Sequence, residues 1–364
     1  MNTFKAGFSD FLASGAAVLA GLFVGLIVLF FTNASQAIPA FLTILTSGFS
    51  SLRNFGDVLY FATPIIMTGL SVGFAYKTGL FNIGATGQFT FGAFAAIYVG
   101  VEFQFLPPAI RIITALVAAM LCGALWAAIP GLLKAYRNVH EVISCIMSNY
   151  IGMFLVNWLI LNTIFDPFRA QTAVVPASSN MPRWGMNYIF TDGIIASSVN
   201  SGIIVALAAA VIIHIVLNKT KFGFELKAAG FNKDAAKYAG IAQNRNIVLS
   251  MMISGALAGL GGALLYLSGA GISMNVANVL AAEGFTGISV AFLALGSPIG
   301  IIFTGMLIAY LHLGGFTMQL FGFVPEIIEI VISVIIYFSA FSLLMKIYLT
   351  RLAKKRAKEK EEVV

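Results

Sequence analysis

The chain has 364 residues, of which 59% are hydrophobic and 10% charged, with a formal net charge of +7 and a mean hydropathy of +0.95. Soluble domains carry about 25% charged residues, so a soluble globular protein is excluded and a polytopic membrane protein is indicated. The basic residues are scattered over loops and one tail, so their excess speaks to membrane topology and no nucleic-acid partner is expected.

Residues 11–32 form the first expected span; about 20 apolar residues exceed the roughly 7–15 of a signal-peptide core. Residues 34–57 read as a polar loop with Arg53. The second span, 58–75, contains Pro64 and Gly69-x-x-x-Gly73, and a tight turn at 76–79 follows. The third span is 81–101, with an unusually polar first turn. The fourth, 110–133, precedes Lys134, Arg137, His140 and Glu141, and the fifth is 142–164. Residues 166–192 are a long non-apolar stretch with Pro167, Pro176, Pro182, Trp184 and Tyr188. The sixth span is 194–217. The seventh, 247–268, carries Gly255-x-x-x-Gly259 and Gly261-Gly262, and a polar connection fills 270–283. Residues 284–313 are too long for one span, and Gly296-Ser297-Pro298 divides them into two that meet at a tight turn. The last span is 325–345, followed by a charged tail.

The expected fold is therefore an all-α polytopic membrane protein of about ten transmembrane helices. One transmembrane domain covers 1–346, and the tail is 347–364. With both termini cytoplasmic, the loops divide 17 basic residues inside from Arg53, Arg111, Arg169 and Arg183 outside. That asymmetry is the positive-inside pattern.

Residues 218–246 stand apart. They carry Lys219, Lys221, Glu225, Lys227, Lys233, Asp234, Lys237 and Arg245. At roughly 2.5–3.5 kcal/mol for each charge at a bilayer centre, this segment belongs in water. Asn232 suits an N-cap, residues 233–239 can form two helical turns, and Gly240 suits a left-handed C-terminal stop. Phe231, Ala235 and Tyr238 or Ala239 fall on one face; Lys233, Asp234 and Lys237 fall on another. A short capped amphipathic helix between two spans has the character of a docking element.

Two polar clusters lie at membrane depth. The first, residues 79–89, contains Asn82, Thr86 and Gln88 among three glycines. The second, 140–150, contains Glu141, Ser144 and Ser148 at helical spacing, with Asn149 beside them. Each cluster admits two readings, a close interhelical contact or the lining of a translocation path. Glu283, Glu326 and Glu329 lie near span ends and read as solvated or capping carboxylates. Cys122 and Cys145 read as small core residues, and His214 and His312 as structural histidines. No Gly-Lys pair occurs, so the phosphate-binding loop pattern is absent, and no metal-ligand spacing is present.

The run Gly79-Leu80-Phe81-Asn82-Ile83-Gly84-x-x-Gly87-Gln88 resembles the signature of permease subunits in the branched-chain amino acid, simple sugar and nucleoside group of ATP-binding-cassette importers. His140-Glu141-Val142-Ile143-x-x-Ile146-Met147-x-Asn149-Tyr150 is similar to a block of the nucleoside and simple sugar branch. Ala229-Gly230-x-Asn232-x-x-Ala235-Ala236-x-Tyr238-Ala239-Gly240-Ile241 resembles the segment that docks into the ATPase. Thr86 stands where the family often has Glu, and His140 where it often has Asn.

The resemblance implies a type II-like importer permease bundle in a bacterial plasma membrane. It implies a second homologous permease forming a heterodimer, an ATPase subunit, and an extracytoplasmic substrate-binding lipoprotein. Nucleosides are the expected cargo, with simple sugars as the alternative. The chain itself would be no enzyme and bind no cofactor, ATP being used by the partner subunit. Phe231, Asn232, Ala235, Ala236, Tyr238, Ala239 and Gly240 would couple to that ATPase. From the residues alone, an ion-coupled carrier remains a further alternative.

Overall fold

The structure, a computed structural model, describes residues 2–340. The charged tail and the last residues of the expected final span lie outside the described residues. Among the described residues, six helices are long and apolar enough to cross a membrane. The described chain divides into two compact units, Ser51–Ala309 and a second made of the terminal segments up to Ser50 and from Tyr310.

In the larger unit, α3 (Leu52–Lys77) starts where the Ser51 hydroxyl accepts the Asn54 N–H at 3.1 Å. Pro64 sits inside α3, and one turn later the Thr68 hydroxyl bonds back to the Pro64 carbonyl at 3.1 Å. The unit continues through α4 (Ala85–Glu102), α5 (Pro108–Arg137) and α6 (Glu141–Asn162). The four-residue helix α7 (Met186–Ile189) lies in the long connection that follows, and α8 (Gly202–Lys219), α9 (Lys221–Phe231) and α10 (Lys233–Tyr238) come next. The unit ends with α11 (Gln243–Tyr266), α12 (Ala282–Leu293) and the first part of α13 (Pro298–Met318).

Helix α11 is the packing centre, contacting α3, α4 and α5. Small residues allow this. A Cβ on Gly255 would run into the Gly123 carbonyl, one on Gly259 into the Ala119 carbonyl, and one on Gly92 into the Gly259 backbone. Apolar side chains gain nothing by leaving lipid for protein, so close backbone approach supplies the dispersion contact that holds such helices together. Helix α5 is the outer member: Ile113, Val117, Leu121 and Leu125 form an exposed stripe at four-residue spacing, suited to lipid.

The tight turn expected at 296–298 is present. Leu295 and Gly296 adopt positive φ, the Gly296 N–H closes on the Ala291 carbonyl at 2.8 Å, and α13 begins at Pro298. The helix before that turn is as short as the residues 284–295 left before it by the sequence division. Helix α12 has 12 residues, about 18 Å, against roughly 30 Å of hydrocarbon.

The connection 163–200 is folded rather than loose. A short hairpin pairs Phe165–Asp166 with Gln171–Thr172, and the Thr172 N–H donates to the Met274 carbonyl at 2.9 Å. Ser179 donates to the Gly100 carbonyl at 2.8 Å and the Met181 N–H to the Leu267 carbonyl at 2.7 Å, fixing this connection over the ends of α4 and α11. The exposed Asp192 carboxylate accepts the Ile195 and Ile194 N–H groups and the Arg53 guanidinium, which hold its pKa down to about 2. These ties place the start of α8 at Gly202, eight residues later than the sixth span was expected to begin.

The second unit contains α1 (Asn2–Thr32), α2 (Ala37–Thr46), the end of α13, and α14 (Pro325–Ala340), with α1 packed on α14. Helix α2 corrects the expectation of a polar loop at 34–57. Ala37, Ala40 and Ile44 are buried at three- and four-residue spacing, Gly314 lies against the Ile44 backbone, and the Tyr310 hydroxyl donates to the Leu45 carbonyl at 2.6 Å.

Candidate functional site

The first polar cluster closes into a buried amide network. Asn82 and Gln88, both fully buried, exchange two hydrogen bonds: Asn82 Nδ2 to Gln88 Oε1 at 2.7 Å and Gln88 Nε2 to Asn82 Oδ1 at 3.0 Å. Asn82 Nδ2 also reaches Ser254 Oγ on α11 at 2.7 Å, and Ser254 Oγ donates to the Ser71 carbonyl on α3 at 2.7 Å. Asn82 Oδ1 accepts the Gly84 N–H at 3.0 Å, which shapes the turn before α4. Asn149 on α6 clips the same turn from the other side. Its Oδ1 accepts the Gly87 N–H at 2.9 Å and its Nδ2 donates to the Ile83 carbonyl at 3.0 Å. The cluster thus ties α3, α4, α6 and α11 through buried polar groups.

Ser71 lies within Gly69-Leu70-Ser71-Val72-Gly73, which has the letters of a hydrolase nucleophile elbow. It sits in mid-helix with its hydroxyl 3.0 Å from that of Ser254, not at a strand-to-helix turn, so it is no such elbow.

The second cluster separates. Ser144 donates to the Glu141 carbonyl at 3.1 Å and Ser148 to the Cys145 carbonyl at 2.8 Å, both within their own helix. Glu141 pairs with Lys134 across the α5–α6 turn, Nζ to Oε2 at 2.7 Å. His140 caps α6 by accepting the Val142 N–H at 3.3 Å, a role open to the Asn common in the family. Thr86 is different. The residue is 1% exposed, and its hydroxyl has no hydrogen-bond partner and lies against Gly284 at the start of α12.

The candidate coupling segment is two capped helices. Thr220 Oγ1 accepts the Gly223 N–H at 3.0 Å to start α9, a helix the sequence reading did not single out. Asn232 Oδ1 accepts the Ala235 N–H at 3.0 Å to start α10. At the other end, Gly240 takes φ +76° and the Ile241 N–H closes on the Ala236 carbonyl at 3.0 Å. Phe231 and Tyr238 stand 89% and 94% exposed, and Ala235 and Ala239 are also exposed. Ala236, also expected among the coupling residues, is 3% exposed. Gly230, at the end of α9, lies directly against the backbone of Thr78 and Gly79. Any Cβ at either glycine would force them apart, so α9 bears on the turn that carries Asn82.

The third location went unread in the sequence. Glu283, expected as a solvated or capping carboxylate near a span end, is partly buried in the first turn of α12 and within electrostatic reach of Tyr60 and Tyr266. The three lie more than 200 residues apart at the extremes, so only the fold reveals the group.

No solved structure matches the chain. Among curated proteins, the guanosine ABC transporter permease protein NupP of Bacillus subtilis (strain 168) is 39% identical over 350 residues, covering 94% of this chain and 96% of the relative. The nucleoside ABC transporter permease protein NupB of Lactococcus lactis subsp. cremoris (strain MG1363) is 35% identical, covering 94% of each. A second Bacillus subtilis (strain 168) protein, the guanosine ABC transporter permease protein NupQ, is 26% identical over 279 residues, covering 74% of this chain and 84% of its own length. The family described as "Branched-chain amino acid transport system / permease component" matches residues 54–340, and the chain belongs to it.

Proposed function

We propose that this chain is the nucleoside-conducting permease subunit of an ATP-driven importer. Its similarity to guanosine and nucleoside permeases runs along nearly its whole length. As a permease it is not an enzyme; ATP is bound and hydrolysed by a separate subunit. The observation that carries the coupling part of the reading is the α9–α10 pair, where Phe231 at the end of α9 and Tyr238 at the end of α10 project from a capped, charged segment that cannot enter lipid. Exposed aromatic rings on a rigid helix are the kind of anchor that fills a pocket on a partner. The contact of Gly230 with the α3–α4 turn gives ATPase motion a rigid route into the bundle.

In this reading the chain crosses a bacterial plasma membrane about ten times, with α12 and the irregular stretch before it making one crossing. Both termini are cytoplasmic. NupP and NupQ, two permeases of one organism, support pairing with a second, related permease. An extracytoplasmic binding lipoprotein delivers the substrate. Asn82, Gln88 and Asn149 act as the frame of the path, and Thr86, Glu141, Ser144 and Ser148 are its further candidate residues.

The test is reconstitution of the two permeases, the ATPase and the binding protein in proteoliposomes. Nucleoside uptake should require ATP. Phe231→Ser with Tyr238→Ser should insert normally while retaining less than about a tenth of the ATPase, the loss expected from two interface anchors. Uptake without the ATPase would establish an ion-coupled carrier instead, and ATP-driven ribose uptake without nucleoside uptake would establish a sugar importer.

A further inference from the structure

The N-terminal end of α12 lies deep in the bundle. Gly287 rests on Thr68 of α3, and Gly69 of α3 rests on Val290, so the two helices run in the same direction at this contact. Thr68 is 16 residues into α3, about 24 Å along a helix of about 39 Å. Glu283, one turn before Gly287, is therefore about 18 Å along it, near the middle. The chain reaches this depth through residues 269–281, where Gly269 and Gly271 take positive φ and no helix forms. Irregular backbone at such depth is stable where protein covers it or where it lines a cavity.

The chemistry at this helix end is unusual for a packing contact. Among the described residues no Lys, Arg or His lies within 4.0 Å of the Glu283 carboxylate, and its hydrogen bond is to its own backbone N–H. The positive end of the α12 dipole lies beside it. Tyr60 and Tyr266 lie within its electrostatic reach, with Ser268 donating to the Tyr60 phenol at 3.5 Å. Tyr266 and the neighbouring Phe61 are only partly buried. Independently, the buried Thr86 hydroxyl is left without a partner against Gly284, at this same helix end.

We propose that this end of α12 is the mid-membrane contact point for the nucleoside, with Glu283 accepting from two adjacent neutral donors of the substrate and Tyr266 stacking on its base. The inference rests on the nucleoside-permease reading. A carboxylate only accepts hydrogen bonds, so it selects donor pairs and repels phosphate, favouring nucleosides over nucleotides. Two parts of a nucleoside offer such a pair: the vicinal ribose hydroxyls, and the N1–H and N2–H groups of guanine. Tyr266 offers the flat face on which any base stacks, and Thr86 supplies an unpartnered hydroxyl at the same helix end.

Uptake of guanosine, uridine and 2′,3′-dideoxyguanosine by the reconstituted complex, normalised to assembled transporter, tests this. Glu283→Gln should lower guanosine uptake at least about tenfold, the cost of about 1.4 kcal/mol in binding. An equal fall for uridine, with poor transport of the dideoxy compound by the wild type, assigns the ribose hydroxyls. A fall confined to guanine nucleosides assigns the base edge. Tyr266→Phe should retain uptake and Tyr266→Leu should lose it. Wild-type uptake and selectivity in both Glu283→Gln and Tyr266→Leu would overturn the proposal. Absence of nucleoside uptake by the wild type would overturn the substrate reading itself, and this inference with it. Should the variants not assemble, photolabelling of the wild-type complex with 8-azidoguanosine decides: label on the peptide carrying Tyr266 or Glu283 supports the site, and label confined elsewhere overturns it.

Discussion

Gln88 has one polar neighbour for each end of its amide, and that neighbour is Asn82 both times. Such a pair is stable only while both members are present. Removing one leaves a buried donor and acceptor unmatched, at a cost of about 1–3 kcal/mol. Gln88→Leu is therefore expected to lower the thermal midpoint of the detergent-solubilised complex and its yield of assembled transporter. Uptake per assembled molecule should stay near the wild-type value. Normal assembly with a loss of uptake per molecule would place Gln88 on the path instead. Gln88→Glu is expected to be worse than Leu, because a charge would be buried beside Asn82 and two serine hydroxyls without a cation. The motif that marks the family thus reads, residue by residue, as the knot that joins four helices.

At the scale of the element, α9 and α10 show how local chemistry can order a short charged segment between α8 and α11. Each is short, and isolated helices of 11 and 6 residues are marginal in water. Their side-chain caps, the left-handed Gly240 and the Gly230 contact with the α3–α4 turn compensate. A Cβ on Gly240 meets nothing within 4 Å, so a substitution there acts through φ alone. Gly240→Val is expected to strain the turn by about 1–3 kcal/mol and misdirect the chain entering α11. The complex should insert and fold, while ATPase association in a pull-down falls severalfold and uptake falls with it. Gly240→Asn, which tolerates the left-handed region, should retain most of both. Wild-type association in the Val variant would reduce this segment to a solvated loop.

At the scale of the molecule, the distribution of 17 basic residues against 4 predicts an orientation that can be measured directly. Reporter fusions after Lys346 and within residues 173–180 should report opposite compartments, the first cytoplasmic. The same compartment for both would require one crossing fewer or more, and the short α12 is where the difference would lie. A helix of about 18 Å crosses only with the help of the irregular chain before it.

Much of this protein is written locally. Membrane residence follows from composition, because charges cannot enter hydrocarbon and long apolar runs cannot remain in water. The caps at Asn232 and Gly240 and the turn at Gly296 follow from short-range hydrogen bonding and from the φ values that glycine adopts freely. Helix faces were another matter. In a lipid-soluble chain both the core side and the lipid side are apolar, so periodicity could not tell the enclosed α3 from the lipid-facing α5, nor find α2 in an assumed loop. Partnership was equally hidden: Asn82 meets Ser254, 172 residues away, and Glu283 lies beside Tyr60 and Tyr266. Those meetings are set by which backbones approach closely enough at Gly92, Gly123, Gly255 and Gly259 to bring distant side chains together, and only the tertiary structure decides that.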